Sequence, residues 1–300
     1  MAHGWIILDK PVGLGSTQAV AAVKRNLREA GLGKKVKFGH GGTLDPLASG
    51  VLPIALGEAT KLTGRMLDAS KVYEFTVAFG EETDTLDLEG KVIAASAVRP
   101  VPGQVAAVLA RFTGPIAQVP PAYSAIRVDG ERAYDRARAG KDVVLNARAV
   151  TVHALEVMQA DSESATLRAH VSKGTYIRSL ARDFAHALGT VGHVTMLRRI
   201  SAGPFGLAQA ISLDKLNEIG KGAALEQVLL PLEAALVDIP ALSLDPEQAR
   251  AVRQGRVLTG LPHDDGLCWA RSGMIPVALI ELSGGDARVV RGFNLPDVAE

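Results

Sequence analysis

Twelve residues, Gly39-His40-Gly41-Gly42-Thr43-Leu44-Asp45-Pro46-Leu47-Ala48-Ser49-Gly50, constrain this chain more than any other stretch. Glycines at 39, 41, 42 and 50 and a proline at 46 make a long helix or an ordinary strand here costly. The segment is therefore a built turn, and it holds one carboxylate, Asp45. Pro46 disfavours the α region at Asp45 itself. Backbone geometry thus aims the carboxylate, in place of a long flexible stem. An Asp before Pro is also a common turn-former, and the residues alone leave both roles open.

Two familiar glycine-rich devices fail on spacing. No Gly-Lys-Ser or Gly-Lys-Thr follows the glycines, so the lysine and hydroxyl of a nucleotide-hydrolysing loop are missing. The glycines lead into Leu44-Asp45-Pro46 and not directly into a helix, which excludes a dinucleotide fingerprint. Metal chemistry has little support. Cys268 is the single cysteine, His186 and His193 lie seven residues apart, and no His-Glu-x-x-His pattern occurs. His40 and Asp45 can share a metal only as a minor alternative.

At 300 residues the chain suits one large domain and a small one. Its 47% hydrophobic content supports a packed core. No run of about eighteen apolar residues suggests a membrane span. Met1-Ala2-His3-Gly4 enters an apolar strand with no basic region or cleavage signal, so a cytoplasmic protein is expected. Thirty-three basic against 32 acidic residues give a formal charge of +1, so any nucleic-acid surface must come from local clusters. Lys173, Arg178, Arg182, Arg198 and Arg199 form one such group, and Lys34-Lys35-Val36-Lys37 another.

Periodicity outlines the elements. Trp5–Leu8 reads as a strand, and Ser16 is placed to cap a helix carrying Val20, Val23 and Leu27. A helix is expected over about Ala59–Leu67. Tyr73, Phe75, Val77 and Phe79 alternate on one strand face, as do Ala165, Leu167, Ala169 and Val171 on another. Tyr73 is thus either a core tyrosine or a rim aromatic. Residues 103–112 read as a helix. Residues 114–150 form a proline-interrupted, arginine-rich excursion. A helix after Gly174 carries Ile177, Leu180, Ala181, Phe184 and Leu188 as its apolar stripe, with Arg178 and Arg182 on a different side. Arg178 can bind phosphate, neutralise a carboxylate or make a structural ion pair. Val191–Ile200 is expected as a strand. Prolines at 231, 240 and 246 mark a boundary, beyond which a helix at 246–254 and short strands form a β-rich module.

Four blocks in order carry a resemblance. They are Asp9-Lys10-Pro11-Val12-Gly13 with Ser16; Gly39–Gly50 extended to Lys61; Gln118–Ala125 with Gly130 and Tyr134; and Ser172–Leu180 with His193–Arg199. Together they resemble the TruB family of bacterial tRNA pseudouridine synthases over roughly residues 5–205. Gly15 and Gly41 stand where that family often has hydroxyl residues.

The resemblance implies an α+β pseudouridine synthase fold: a mixed, mostly antiparallel sheet with flanking helices and a central cleft. It implies a catalytic domain over residues 1–235 with an RNA-contacting insertion at about 114–150. A linker at 236–245 and a divergent PUA-like domain at 246–300 follow. The implied activity is isomerisation of uridine-55 in the tRNA T loop by base flipping. Asp45 matches the catalytic aspartate. Tyr73 matches the base-stacking aromatic, Arg178 the partner of the aspartate, and Tyr176 and Leu197 pocket positions. His40 matches a residue engaging the flipped segment, and Lys10 falls among the substrate-binding positions. The implied partner is the tRNA T arm. No cofactor, metal, membrane or obligate protein partner is implied, and a monomer is expected. A non-catalytic RNA-binding or RNA-folding protein, a magnesium-dependent phosphotransferase and a related pseudouridine synthase acting on another RNA are the rival readings.

Overall fold

In the computed structural model, residues 2–31, 36–128, 130–220 and 227–296 are described. Lys34 and Lys35 of the expected basic segment lie outside them. The chain opens with β1 (Gly4–Lys10), α1 (Ser16–Glu29), β2 (Phe38–His40) and β3 (Ala48–Leu56), then passes through α2 (Thr63–Asp68) into β4 (Lys71–Phe79). A hairpin of β5 (Glu81–Thr83) and β6 (Val92–Ala95) precedes α3 (Pro102–Ala107) and β7 (Gly114–Gln118). The excursion holds a small hairpin, β8 (Arg127–Val128) and β9 (Glu131–Arg132), and α4 (Ala133–Arg138). Next come β10 (Arg148–Ala160), β11 (Ser164–Val171), α5 (Ile177–Ala187), β12 (Gly192–Ala202), β13 (Phe205–Gly206), β14 (Ile211–Ser212) and α6 (Leu213–Gly220).

One ten-stranded sheet runs β14-β1-β3-β12-β4-β11-β10-β7, with β2 added on β3 and β13 on β12. Within it only β1–β14 and β3–β12 are parallel, so the sheet is mixed and mostly antiparallel. The β3–β12 pairing positions the site. It sets Leu197 beside Ala48 and Arg199 beside Gly50, which joins the end of the Asp45 turn to the middle of β12. Gly50 is required there, because a Cβ would stand 2.2 Å from the Arg199 carbonyl oxygen.

The alternation on β4 buries Phe75, Val77 and Phe79 against Leu180 and Phe184 of α5. Tyr73, on the same face, is only half-buried because the core gives way to the cleft at that end. The helix expected over residues 59–67 divides into a 3₁₀ segment, Gly57–Leu62, and α2. Ser16 is not the cap of α1. Gly15 takes that position, and Ser16 Oγ accepts from Leu44 N at 2.8 Å and donates to Leu44 O at 2.9 Å. The hydroxyl is thus spent on tying α1 to the Asp45 turn.

The C-terminal unit contains β15 (Ala241–Ser243), α7 (Pro246–Arg253), β16 (Gly266–Ser272), β17 (Ile275–Ser283) and β18 (Asp286–Gly292). Its sheet runs β15-β16-β17-β18. Asp245 caps α7 by accepting from Gln248 N at 2.8 Å, and Pro246 follows at the first helical position. Ala241–Ser243, inside the stretch expected as a linker, pairs with Trp269–Arg271. The unit docks on the main body through Leu279 and Phe293, which share a buried cluster with Trp5 and Met66. Among the described residues, no helix is long and apolar enough to cross a membrane.

Candidate active site

A cleft of about 910 Å³ opens between the Asp45 turn, the start of α5 and the 114–150 excursion. Asp45, Tyr73, Tyr176, Arg178 and Leu197 all line it. Asp45 comes from the turn, Tyr73 from β4, Leu197 from β12, and Tyr176 and Arg178 from the first turn of α5. Gln118 sets that first turn. Buried at the end of β7, its Oε1 accepts from Tyr176 N at 2.8 Å and its Nε2 donates to Tyr176 O at 3.1 Å. The pair of bonds fixes the backbone from which Arg178 projects.

Arg178 is 7% exposed and makes four contacts. Its guanidinium lies 2.8 Å from Asp45 Oδ2 and 3.3 Å from Asp87 Oδ2. It also donates to Thr85 O at 2.8 Å and Tyr123 O at 3.0 Å. A buried guanidinium needs such an assembly, since its cost in a low-dielectric site is offset only by full pairing. Asp45 keeps 43% of its side chain exposed, toward the cleft. One carboxylate is therefore both held and accessible.

Asp87 is the partner that sequence reasoning missed. Its Oδ1 accepts from Thr85 Oγ1 at 2.6 Å and Glu89 N at 3.0 Å. Leu86, between them, has a φ of +64°, a conformation costly for a side-chain-bearing residue. The polar run Thr83–Asp87 is thus a strained turn that supplies a second acid to Arg178. Its composition marks a turn, but no local spacing says which acid reaches residue 178.

Two expected site residues lie elsewhere. Lys10 is fully buried, and its ammonium donates to the carbonyls of Pro11, Leu14 and Pro46 at 2.9, 2.6 and 3.3 Å. It supports the turn from beneath and does not line the cleft. Burial lowers its pKa to about 8, opposed by the charge of Asp45 and reinforced by that of Arg199. His40 ends β2, one residue before the turn bends away, and is not on the cleft wall. Its Nδ1 is buried without a hydrogen-bond partner among the described residues. Burial, then the charge of Arg199, lowers its pKa.

The expected basic cluster is also redistributed. Arg178 and Arg199 are buried, Arg198 pairs with Asp9 at 2.8 Å and Lys173 with Asp68 at 2.9 Å. Arg148 enters instead, from the start of β10. Its guanidinium stacks 4.7 Å from the centre of the Tyr176 ring and donates to Gly174 O. Among the described residues, no group of three or more His, Cys, Asp or Glu is placed to hold a metal ion.

Comparison with known proteins assigns the family. Residues 28–177 match the model of the TruB family pseudouridylate synthase N-terminal domain. Residues 178–237 match that of the tRNA pseudouridylate synthase B C-terminal domain. The chain belongs to the TruB family. The tRNA pseudouridine synthase B of Novosphingobium aromaticivorans is 72% identical over the whole of both chains. That of Zymomonas mobilis is 59% identical over 97% of this chain and 96% of its own. A solved H/ACA RNP bound to a substrate RNA containing 2′-deoxyuridine contains a chain with a TM-score of 0.73 and 26% identity. The match covers 98% of this chain and 85% of that one. A Cbf5-Nop10-Gar1 complex gives 0.72 and 27%, with the same coverage. This TruB-family chain is accordingly a pseudouridine synthase, with the family's α+β fold and a small C-terminal domain.

Proposed function

We propose that this synthase converts uridine-55 in the T loop of tRNA to pseudouridine, acting alone, as a monomer, in the cytoplasm. The observation that carries the reading is the Asp45 carboxylate, open to a cleft of about 910 Å³ and held at 2.8 Å by a buried arginine. The target uridine leaves its stack to reach that carboxylate, because the reacting C1′ and C5 atoms are inaccessible inside a folded loop.

The chemistry breaks the N1–C1′ bond and forms a C5–C1′ bond. Asp45 attacks C1′ as the uracil leaves with the bonding pair, or removes the 2′ proton to give a glycal. In both routes the freed uracil turns within the pocket and its C5 bonds to C1′. In the first the Asp45–C1′ bond breaks as that bond forms, and in the second Asp45 returns its proton to the 2′ carbon. The C5 proton is then lost and N1 gains one. The sum is an isomerisation, so no external electron pair or nucleotide energy enters. Tyr73 offers a flat face to the everted base, a contact worth roughly 1–3 kcal/mol. Tyr176, braced by Arg148, and Leu197 close the sides. The 114–150 excursion contributes Tyr123, Tyr134 and Arg138 to the lining of the cleft. Bound RNA would complete the enclosure that keeps water from the freed sugar.

The test uses the purified chain alone and an unmodified tRNA transcript, with pseudouridine located by carbodiimide labelling. Stoichiometric conversion at uridine-55 is expected. Tight binding without conversion would instead favour an RNA-folding role, and conversion at another uridine would overturn the T-loop assignment.

Residues 1–235 form the catalytic unit in this reading, and 246–300 a PUA-like unit that holds the tRNA backbone, joined by 236–245. The exposed guanidiniums of Arg288 and Arg291 on β18 support that division. Reversing both to Glu should weaken tRNA binding about tenfold or more at low salt and flatten its salt dependence. The single-turnover rate at saturation should stay unchanged. An unaltered Kd would refute the division of labour.

A further inference from the structure

Arg199 is 1% exposed, and among the described residues no carboxylate pairs with it. Its guanidinium is spent on backbone carbonyls, two from the limb before Asp45 and one from β3. Nε donates to Val51 O at 2.7 Å, one terminal nitrogen to Gly42 O at 2.9 Å and the other to Thr43 O at 3.4 Å. A buried, acid-free cation is costly, and an uncharged side chain of similar length would fill the space without that cost. Burial lowers the pKa values of Lys10, His40 and Lys71, and the charge of Arg199 adds to that lowering in each.

The two limbs of the turn are held differently. The limb after Asp45 enters β3 and is fixed by the sheet, including the pairing of Gly50 with Arg199 itself. The limb before Asp45 leaves the sheet at His40. Gly42, with a φ of +127°, has the Arg199 guanidinium 3.4 Å from where its Cβ would stand. Asp45 is bound by a single ion pair and stays open to the cleft, so its aim depends on that limb, which Ser16 holds at Leu44 and Arg199 at Gly42 and Thr43.

We propose that Arg199 is a positioning residue for the reaction: its guanidinium ties the Gly42–Thr43 limb to Val51 and so fixes the line along which the Asp45 carboxylate meets the ribose. Three carbonyls in three directions suit the planar fork of arginine. A lysine, with one compact ammonium, cannot span them. The role rests on the function proposed above.

The test takes full-length Arg199→Lys and Arg199→Ala beside the parent chain, on unmodified tRNA transcript under single turnover. Arg199→Lys should lose roughly 10²-fold in rate, the scale of a misplaced reacting group, with tRNA Kd within about threefold of the parent. Arg199→Ala should regain part of its rate with added methylguanidinium and none with methylammonium at the same concentration. A merely structural loss would not respond in this selective way. Parental rate in Arg199→Lys, or a loss confined to Kd, would overturn the assignment, as would absence of rescue in a folded Arg199→Ala. If Arg199→Ala does not fold, the rate and Kd of Arg199→Lys decide. An inactive parent chain would defeat the proposed function as well. An active parent beside a fully active Arg199→Lys defeats only the positioning role.

Discussion

Asp45→Asn is expected to bind unmodified tRNA like the parent chain and to form no pseudouridine, a loss on the order of 10⁴-fold or more in single-turnover rate. The substitution keeps the shape of the side chain and an oxygen that can still accept from Arg178, now at 2.8 Å from Asp45 Oδ2. It removes the anion. Both routes to the first intermediate need that anion, as nucleophile at C1′ or as base at the 2′ carbon. Binding draws on the wider cleft and on phosphate contacts, where a single neutralised carboxylate changes little or even helps. Measurement of Kd by filter binding and of rate by carbodiimide labelling separates the two. Pseudouridine formation within tenfold of the parent rate would show that another group does the chemistry.

The strands that alternate cleanly, β4 and β11, are legible because one face of each is buried and the period of two survives along their length. β10 is not, although it is thirteen residues long. Its register slips between Val152 and Ala154 and again between Val157 and Gln159, and each slip moves the apolar set to the other face. The turn at Asp45 could be recognised from glycine and proline chemistry, which acts locally. What holds the turn could not. Arg198-Arg199 reads as a surface basic pair. Only the parallel pairing of β12 with β3, set by residues some 150 positions away, puts the second arginine underneath Gly42. Lys10 shows the same limit. Its place in a motif marks it as important, but only the folded chain shows that its three donors are spent on carbonyls. Arg178 stands off the apolar stripe of α5, as the helical period requires, and is buried all the same. The Thr83–Asp87 turn and Tyr123 cover it from outside the helix.

That burial makes Arg178 the second position of large effect. Arg178→Met should leave Asp87, 10% exposed, without its cation and the carbonyls of Thr85 and Tyr123 without their donor. Removing one partner from a buried ion pair typically costs about 3–5 kcal/mol, and Asp45, being half open to solvent, should add little to that. Thermal unfolding should fall accordingly, and the rate by about 10³-fold, since the carboxylate loses its orienting contact. Two separate losses are predicted, and a second substitution tells them apart. Asp87→Asn in the Arg178→Met background removes the stranded charge, so it should recover much of the stability while leaving the rate where it was. The guanidinium would then have two distinct duties: offsetting a buried acid on one side and aiming an exposed one on the other. If the double variant regained the rate along with its stability, the coupling of Arg178 to Asp45 would be incidental to catalysis. If Arg178→Met unfolded at the parental temperature, the arginine and Asp87 would not form the buried support described here.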